Sequence, residues 1–251
     1  MVSKIRSFIS SLLRKLLWIL AKLLKFAGVN SKKFGPPNGY YWSLEEFYRS
    51  RIDCSEIIFK NQIDNLTIGK PYNFEYLPSK AETNEHSFEV VNLQLNMLKN
   101  GRFNLNPHAV ISSNDKLIFS ESCCYGMNPK EHWIFNQITL PKCTKLQGRA
   151  FMLGGRANHW HLLSEELPKL YRLSKNNINI NDFDFLLIES LKYGTQKQIY
   201  DLFEVNMKSF VALNEHKHIE CDGLYFFSSF YQPDIEALSW VRDKVLSKIR
   251  P

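Results

Sequence analysis

The sequence predicts an α/β protein in which helices flank a parallel sheet, preceded by a separate amphipathic helix. From Lys145 onward, apolar strand-like segments alternate with helical segments, the order expected when helices connect parallel strands. Residues 1–28 differ, because they have a helical period and carry only basic charges. With 44% hydrophobic and 14% aromatic residues, the 251-residue chain has the composition of a folded protein and the length to bury a core.

The N-terminal helix is predicted to have one apolar face and one basic face. The apolar face consists of Ile5, Phe8, Ile9, Leu12, Leu16, Ile19, Leu20 and Leu23. The residues expected to contact membrane headgroups are Lys4, Arg14, Lys15, Trp18, Lys22 and Lys25. No apolar run reaches the ~18–20 residues that span a bilayer, so the pattern favours a helix lying in the membrane interface. The alternative is that the helix docks on the protein's own core or on a partner.

The charge of the chain is concentrated at its N-terminus. The formal net charge is +7, and residues 1–33 contain eight Lys and Arg residues and no Asp or Glu. The remainder is close to neutral, so the basicity points to what the N-terminus contacts and says little about nucleic acid. We expect an anionic membrane surface as partner and no nucleic acid. The five cysteines form no CxxC pair, and no secretory signal is evident. We therefore expect a cytoplasmic protein, peripheral on the inner face of the membrane.

Stretches rich in proline and glycine, which interrupt helices and strands, divide the chain into four predicted regions. These are a basic amphipathic helix at 1–30, a linker at 31–39, a mixed α/β region at 40–145 and a βαβ region at 146–251. Predicted elements in the mixed region are a helix at 42–51 capped by Ser43 and strands at 56–59, 108–111 and 116–119. His216, His218 and Cys221 have metal-ligand side chains, but a second half-site is missing. We expect a polar loop entering a strand there, and neither a metal nor a cofactor.

The most informative stretch follows a predicted strand at 149–153. The Gly154-Gly155 pair supplies a turn, and Asn158 is a favourable helix N-cap. His161 and Glu165 lie four residues apart, so they share one face of the predicted helix and can form a general base. The alternative is an ordinary surface helix with one satisfied histidine.

Three neighbours of this pair have candidate roles in substrate binding. Arg156 would meet a diphosphate, or simply an exposed carboxylate. His159 and Trp160 would stack on a sugar ring, whose apolar side suits an aromatic face. Trp160 has a second interpretation as a core residue, because it precedes a Leu pair expected to face inward.

The same stretch resembles a family signature. The family-61 glycosyltransferases, which include bacterial capsular polysaccharide enzymes, have the signature Asn-x-x-His-x-x-x-Asp/Glu-x-Leu-Pro, and this chain resembles it at Asn158, His161, Glu165, Leu167 and Pro168. The downstream order is similar as well, with strands at 183–188 and 209–213 and helices at 195–203 and 233–248. The resemblance covers roughly residues 105–250.

This resemblance implies a fold and an activity. The fold is a Rossmann-like parallel sheet with flanking helices, similar to the N-terminal half of a GT-B glycosyltransferase. The activity is transfer of a sugar from a nucleotide-sugar donor to a glycan or polysaccharide acceptor. The implied catalytic residues are His161 and Glu165, and the implied substrate-binding residues are Asn158, Arg156, His159 and Trp160.

The donor-binding half of such enzymes has no counterpart in the sequence. The family carries an Asn-Glu pair and a glycine-rich loop there, and neither is found after Lys248. We therefore expect a chain that lacks its donor half and needs a complementing donor-domain chain for transfer. The alternative is an inactive, membrane-associated remnant that binds glycan or serves as a scaffold.

Overall fold

The structure, a computed structural model, describes nine segments of the chain. They are residues 2–29, 32–50, 55–63, 91–106, 108–122, 127–154, 159–190, 194–228 and 235–249. The side chains of residues 2–8, 55–63, 91–93, 159, 235 and 249 lie outside the described set. Residues 32–249 are called the body below.

The described regular structure contains six α-helices, ten strands and five short 3₁₀ segments. The helices are α1 Val2–Phe26, α2 Leu44–Ser50, α3 His159–His161, α4 Leu167–Lys175, α5 Gly194–Leu202 and α6 Ile235–Ile249, and a π-helical segment, Leu162–Glu166, joins α3 to α4. The strands are β1 Tyr40–Tyr41, β2 Ser55–Ile63, β3 Val91–Lys99, β4 Arg102–Asn104, β5 Ala109–Ile111, β6 Leu117–Ile118, β7 Thr144–Met152, β8 Phe185–Ile188, β9 Phe210–Ala212 and β10 His218–Phe227.

The strands form one mixed sheet in the order β1-β6-β5-β4-β10-β7-β8-β9, with β3 also paired to β10 and β2 paired to β3. Strands β10, β7, β8 and β9 are parallel to one another. Strands β3 and β4 run antiparallel to β10, and β5 runs antiparallel to β4. The prediction of a parallel sheet is therefore wrong for the sheet as a whole. Short connections make β5 antiparallel to β4 and to β6, whereas β3 and β4 pair antiparallel with β10, which lies more than 100 residues further along the chain.

One edge of β10 is covered by two consecutive strands. β3 pairs with residues 223–227 of β10, and β4 pairs with residues 218–220. The break between them falls at Asn100, which has a φ of 51°, and Gly101. A Cβ on Gly101 would lie 2.8 Å from Leu98 Cβ and 2.9 Å from Leu224 Cβ, so only glycine fits this crowded point.

The sheet separates two hydrophobic cores. Alternate residues of a strand point to opposite faces, and this rule assigns Phe151 and Leu186 to one core and Ala150 and Leu187 to the other. The first core is covered by the π-helical segment, α4, α5 and α6, and the second by α2. The fold is thus α/β, with helices on both faces of a mixed sheet.

Most of the predicted elements are confirmed. The predicted helix at 42–51 is α2, where Ser43 Oγ accepts a hydrogen bond from Glu46 N at 3.2 Å. The predicted strands correspond to β2, β5, β6, β7, β8 and β9, and the two downstream helices to α5 and α6. His218 begins β10, which confirms a polar segment entering a strand.

Helix α1 contacts the body through its basic side. Ala21 and Lys25 are buried, whereas the apolar positions of the helix are exposed: Ile9, Leu12, Leu13, Leu16, Leu17, Ile19, Leu20 and Leu23. The helix therefore docks on the body, but its apolar face does not make the contact. Among the described residues, no helix is long and apolar enough to cross a membrane.

Charged side chains hold this end of α1 in place. Lys25 Nζ lies 2.5 Å from Asp115 Oδ2 and donates a hydrogen bond to Pro36 O. Asp115 also accepts from the buried Arg102, and Lys32 pairs with Glu220. Lys25 was expected to face lipid headgroups, and that expectation is wrong because its ammonium group is buried in this network. Burial lowers the pKa of Lys25, and the Asp115 carboxylate opposes the change.

Candidate functional site

The candidate site lies where β7 ends. Leu153 N and Gly154 N both donate hydrogen bonds to Leu187 O at 3.1 Å, which fixes the chain beside β8. The helical segment that carries the predicted base then begins at His159. Arg156 and Asn158 lie outside the described residues, as does the side chain of His159. The strand and the helix thus flank residues 155–158, for which the turn and its contacts stay predictions.

The helix that begins at His159 is widened by one residue at Leu162–Glu166. Leu167 N donates to Leu162 O, five residues earlier. Pro168 follows, and its missing N–H and its ring oppose a regular α-helical turn at that point. Wide turns of this kind are frequent at functional sites. Here the wide turn contains both Glu165 and Glu166, so it sets the directions of two adjacent carboxylates.

His161 and Glu165 form the pair that the sequence predicted. His161 Nδ1 lies 2.6 Å from Glu165 Oε1. The histidine side chain is 15% exposed and the glutamate side chain 40% exposed. With Glu165 ionised, Nδ1–H donates to the carboxylate and the imidazole lone pair is on Nε2. The geometry is that of a base oriented by a carboxylate.

Glu166 lies on the other side of the helix, in the core. Its Oε2 accepts a hydrogen bond from the hydroxyl of the buried Tyr200. Burial raises the pKa of Glu166, while the Tyr200 hydrogen bond and the Lys169 charge oppose that shift. Burial and the Glu166 charge raise the pKa of Tyr200. Glu166 therefore favours its neutral form more than an ordinary glutamate does.

Lys169 adds a cation to the polar side chains Glu166 and Tyr200 on the core side of the helix. Its Nζ donates to Leu153 O at 2.7 Å, just before Gly154. Burial lowers the pKa of Lys169, while the charges of Glu166 and Glu165 oppose that change. An ammonium group at the carboxyl end of β7 adds positive potential to the point where the helix begins.

Trp160 is 69% exposed. Its interpretation as a core residue is therefore wrong, because the wide turn and the buried Leu162 leave position 160 on the outer side of the helix. Ser164 Oγ donates to Trp160 O at 2.7 Å and fixes the backbone beneath the indole. An exposed aromatic ring one residue from the His161–Glu165 pair is a suitable surface for the apolar side of a sugar.

Sequence reasoning missed Glu166, Lys169 and Tyr200. Their contacts join α5 to the segment after β7, over a separation of 34 residues for Glu166 and Tyr200. One signal was available, because consecutive helical positions point about 100° apart, so two glutamates in a row need not share the exposed side of the helix. No comparable feature of the sequence indicated that Tyr200 would contact Glu166.

The described residues contain no group of three or more His, Cys, Asp or Glu side chains that could hold a metal ion. The side chains of His216 and His218 make different contacts. His216 Nδ1 lies 3.3 Å from Thr144 Oγ1, whereas His218 is buried with Nδ1 3.1 Å from Pro141 O. Burial lowers the pKa of His218 to about 4.

Comparison of the chain with models of known protein families finds no match, and searches of curated proteins and of solved structures find none. The resemblance to family-61 glycosyltransferases therefore stands on the quoted residues alone. It enters below as a proposal.

Proposed function

We propose that this chain is the acceptor-side part of a glycosyltransferase similar to family 61, with a Rossmann-like, GT-B type arrangement. It would take a sugar from a nucleotide-sugar donor and transfer it to a hydroxyl group of a glycan or polysaccharide acceptor. The observation that supports this most is the 2.6 Å contact between His161 Nδ1 and Glu165 Oε1. A histidine oriented in this way is suited to removing a proton from a hydroxyl.

The proposed transfer moves one proton and exchanges one bond at the anomeric carbon of the donor sugar. Nε2 of His161 takes the proton from the acceptor hydroxyl, and Glu165 stabilises the imidazolium that forms. The acceptor oxygen forms a bond to the anomeric carbon of the donor sugar. The bond from that carbon to the diphosphate oxygen breaks, and the nucleoside diphosphate leaves with the electron pair.

The substrate contacts are proposed from the same stretch. Trp160 is exposed and stacks on the acceptor sugar, with His159 beside it. Arg156 meets the donor diphosphate and Asn158 orients the acceptor. Further donor contacts come from a complementing donor-domain chain.

The proposal includes peripheral attachment to the inner face of the membrane. The apolar positions of α1 from Ile9 to Leu23 are exposed, and Arg14, Lys15 and Lys22 are exposed as well. An interfacial helix of this type buries its leucines among acyl chains and keeps its cations at the anionic headgroups. Attachment would bring the site close to acceptors at the membrane.

Transfer can be tested with four matched variants. His161→Ala and Glu165→Gln each remove one member of the pair, and His216→Ala and Glu215→Gln remove exposed residues of the same types. Nucleoside diphosphate release is measured over a panel of nucleotide-sugars, in membranes that supply acceptor and any complementing chain. We expect the first two variants to lose about 10²- to 10⁴-fold in rate and the controls to retain it.

Equal rates in all four variants would contradict the proposed base. Glycan binding without any release of nucleoside diphosphate would favour the alternative of an inactive remnant or scaffold. A spectroscopic readout needs no substrate: the ¹⁵N shifts of His161 should report a proton on Nδ1, and Glu165→Gln should weaken that tautomer preference.

A further inference from the structure

A cavity of about 1050 Å³ lies between α1 and the body. It is formed along one flank of the helix, where the basic side meets the apolar side. The residues that matter here are Trp18, Lys22 and Leu23 on the helix and Tyr40, Lys130 and Phe135 on the body.

The charges around the cavity are positive. Lys22 and Lys130 are both exposed and approach it from opposite walls. Lys22 Nζ lies 3.8 Å from the centre of the Trp18 ring, a cation–π contact that holds the lysine at the rim. Among the described residues that line the cavity, none is acidic. An anion would therefore meet the two exposed ammonium groups, while the carboxylate beside the cavity, Asp115, is paired with Lys25 and Arg102.

The apolar part of the lining continues onto the outer surface of α1. Leu23 lines the cavity and is also 59% exposed on the apolar face of the helix. Phe26, also in the lining, is almost fully exposed. A ligand with a charged end at Lys22 and Lys130 and an apolar chain along Leu23 and Phe26 matches both parts.

Lys25 helps to hold the two walls of this cavity in place. Its contacts with Asp115 and Pro36 join α1 to the body beside the cavity. The two lysine-bearing walls are therefore held together by a buried ion pair, which salt screens far less than surface charges.

We propose that this cavity binds the phosphate headgroup of an anionic phospholipid, with an acyl chain lying against Leu23 and Phe26. The inference rests on the membrane attachment in the proposed function and adds a defined lipid site to it. Lys22 and Lys130 hold the phosphate through charge-assisted hydrogen bonds, and the aromatic rings of Tyr40 and Phe135 contact the glycerol and upper acyl region.

The first test is vesicle binding of the full chain and two matched lysine variants. Lys130→Gln removes the cation on the body wall, and Lys197→Gln removes an exposed lysine of α5 outside the cavity. On vesicles containing phosphatidylglycerol we expect Lys130→Gln to bind about fivefold more weakly, since one lysine near an anionic surface contributes about 1 kcal/mol. Lys197→Gln should bind as the unchanged protein does.

The outcomes separate the lipid site from membrane attachment itself. If the unchanged protein fails to bind anionic vesicles, membrane attachment is wrong. If it binds and Lys130→Gln binds equally well, or if both variants weaken alike, the lipid site is wrong and attachment stands. Arg14→Glu combined with Lys15→Glu should weaken binding through general surface charge while the Lys130→Gln effect persists. None of these readouts depends on sugar transfer.

The second test distinguishes a lipid from free phosphate. Dihexanoyl phosphatidylglycerol is titrated as monomers, glycerol phosphate is titrated in parallel, and the Trp18 signal is isolated by comparison with Trp18→Phe. We expect a saturable change with the lipid and none with glycerol phosphate at the same concentration. Equal responses would assign the cavity to free phosphate, and no response to either would overturn the proposal.

Discussion

Helices α1 and α4 are both amphipathic, yet they meet the body through opposite kinds of face. Helix α4 buries Leu167, Leu170 and Leu173 in the core below the sheet. Helix α1 buries Lys25 and Ala21 and leaves its leucines outside. The difference shows that a helical period identifies the two faces of a helix but not the face that the protein uses. For α1 the choice depends on Asp115 in the body.

The largest expected effect comes from Asp115→Asn, which removes the reason why α1 docks by its basic side. The variant leaves Lys25 and Arg102 as buried cations without their carboxylate, a change that costs about 3 kcal/mol or more. We expect α1 to detach, measured as faster amide hydrogen exchange at residues 18–26. Asp243→Asn, at an exposed ion pair with Arg242, is the matched control. Unchanged exchange in Asp115→Asn would contradict the docking mechanism.

A pair of leucine truncations compares the two helices directly. Leu173→Ala should lower the free energy of unfolding by about 3 kcal/mol, because Leu173 is buried in the core. Leu16→Ala should change it by less than about 0.5 kcal/mol, because Leu16 is exposed on α1. Urea unfolding measures both. If Leu16→Ala proved as destabilising as Leu173→Ala, the apolar face of α1 would be covered by protein.

A smaller effect is expected from pH at the anchor of α1. Burial depresses the pKa of His218 to about 4, and Arg102, Asp115 and Glu220 are the charges that act on it. Its neutral form is thus favoured in the folded state. Stability from His218 is present above its unfolded pKa of about 6.5 and is lost as pH falls towards 4.

The size of this pH effect follows from the shift. Lowering pH from 7 to 5 should cost about 2 kcal/mol through His218 alone. Urea unfolding is measured at pH 7 and at pH 5 for the unchanged protein and for His218→Asn. The difference between the two proteins isolates the contribution of His218 to the loss of stability, and the exposed His216→Ala serves as control. A pH dependence that is the same in His218→Asn as in the unchanged protein would show that another group is responsible.

The sequence predicted most elements because their signals are local. Ser43 before α2 and the helical period of α1 depend on residues within one or two turns of each other. The antiparallel part of the sheet was not predicted. β3 and β4 pair with β10, which is separated from them by more than 100 residues of sequence, and no short turn between them indicates the pairing.

The candidate site shows the same limit. The His161–Glu165 contact could be predicted from its spacing of four, which holds even in a helix that widens after His161. The Glu166–Tyr200 contact could not, because it joins two helices that meet only in the folded protein. The burial of Lys25 likewise requires Asp115, which lies 90 residues further along the chain.

The carboxyl group of Glu166 fills the space above Gly154. A Cβ at position 154 would collide with Glu166 Oε1, so alanine there requires a shorter or differently directed side chain at 166. The two positions are therefore constrained together, although they are twelve residues apart. Distant relatives of this chain that carry a side chain at position 154 should therefore not carry glutamate in this conformation at 166, which makes the pair a criterion for recognising such relatives when overall similarity is too low to do so.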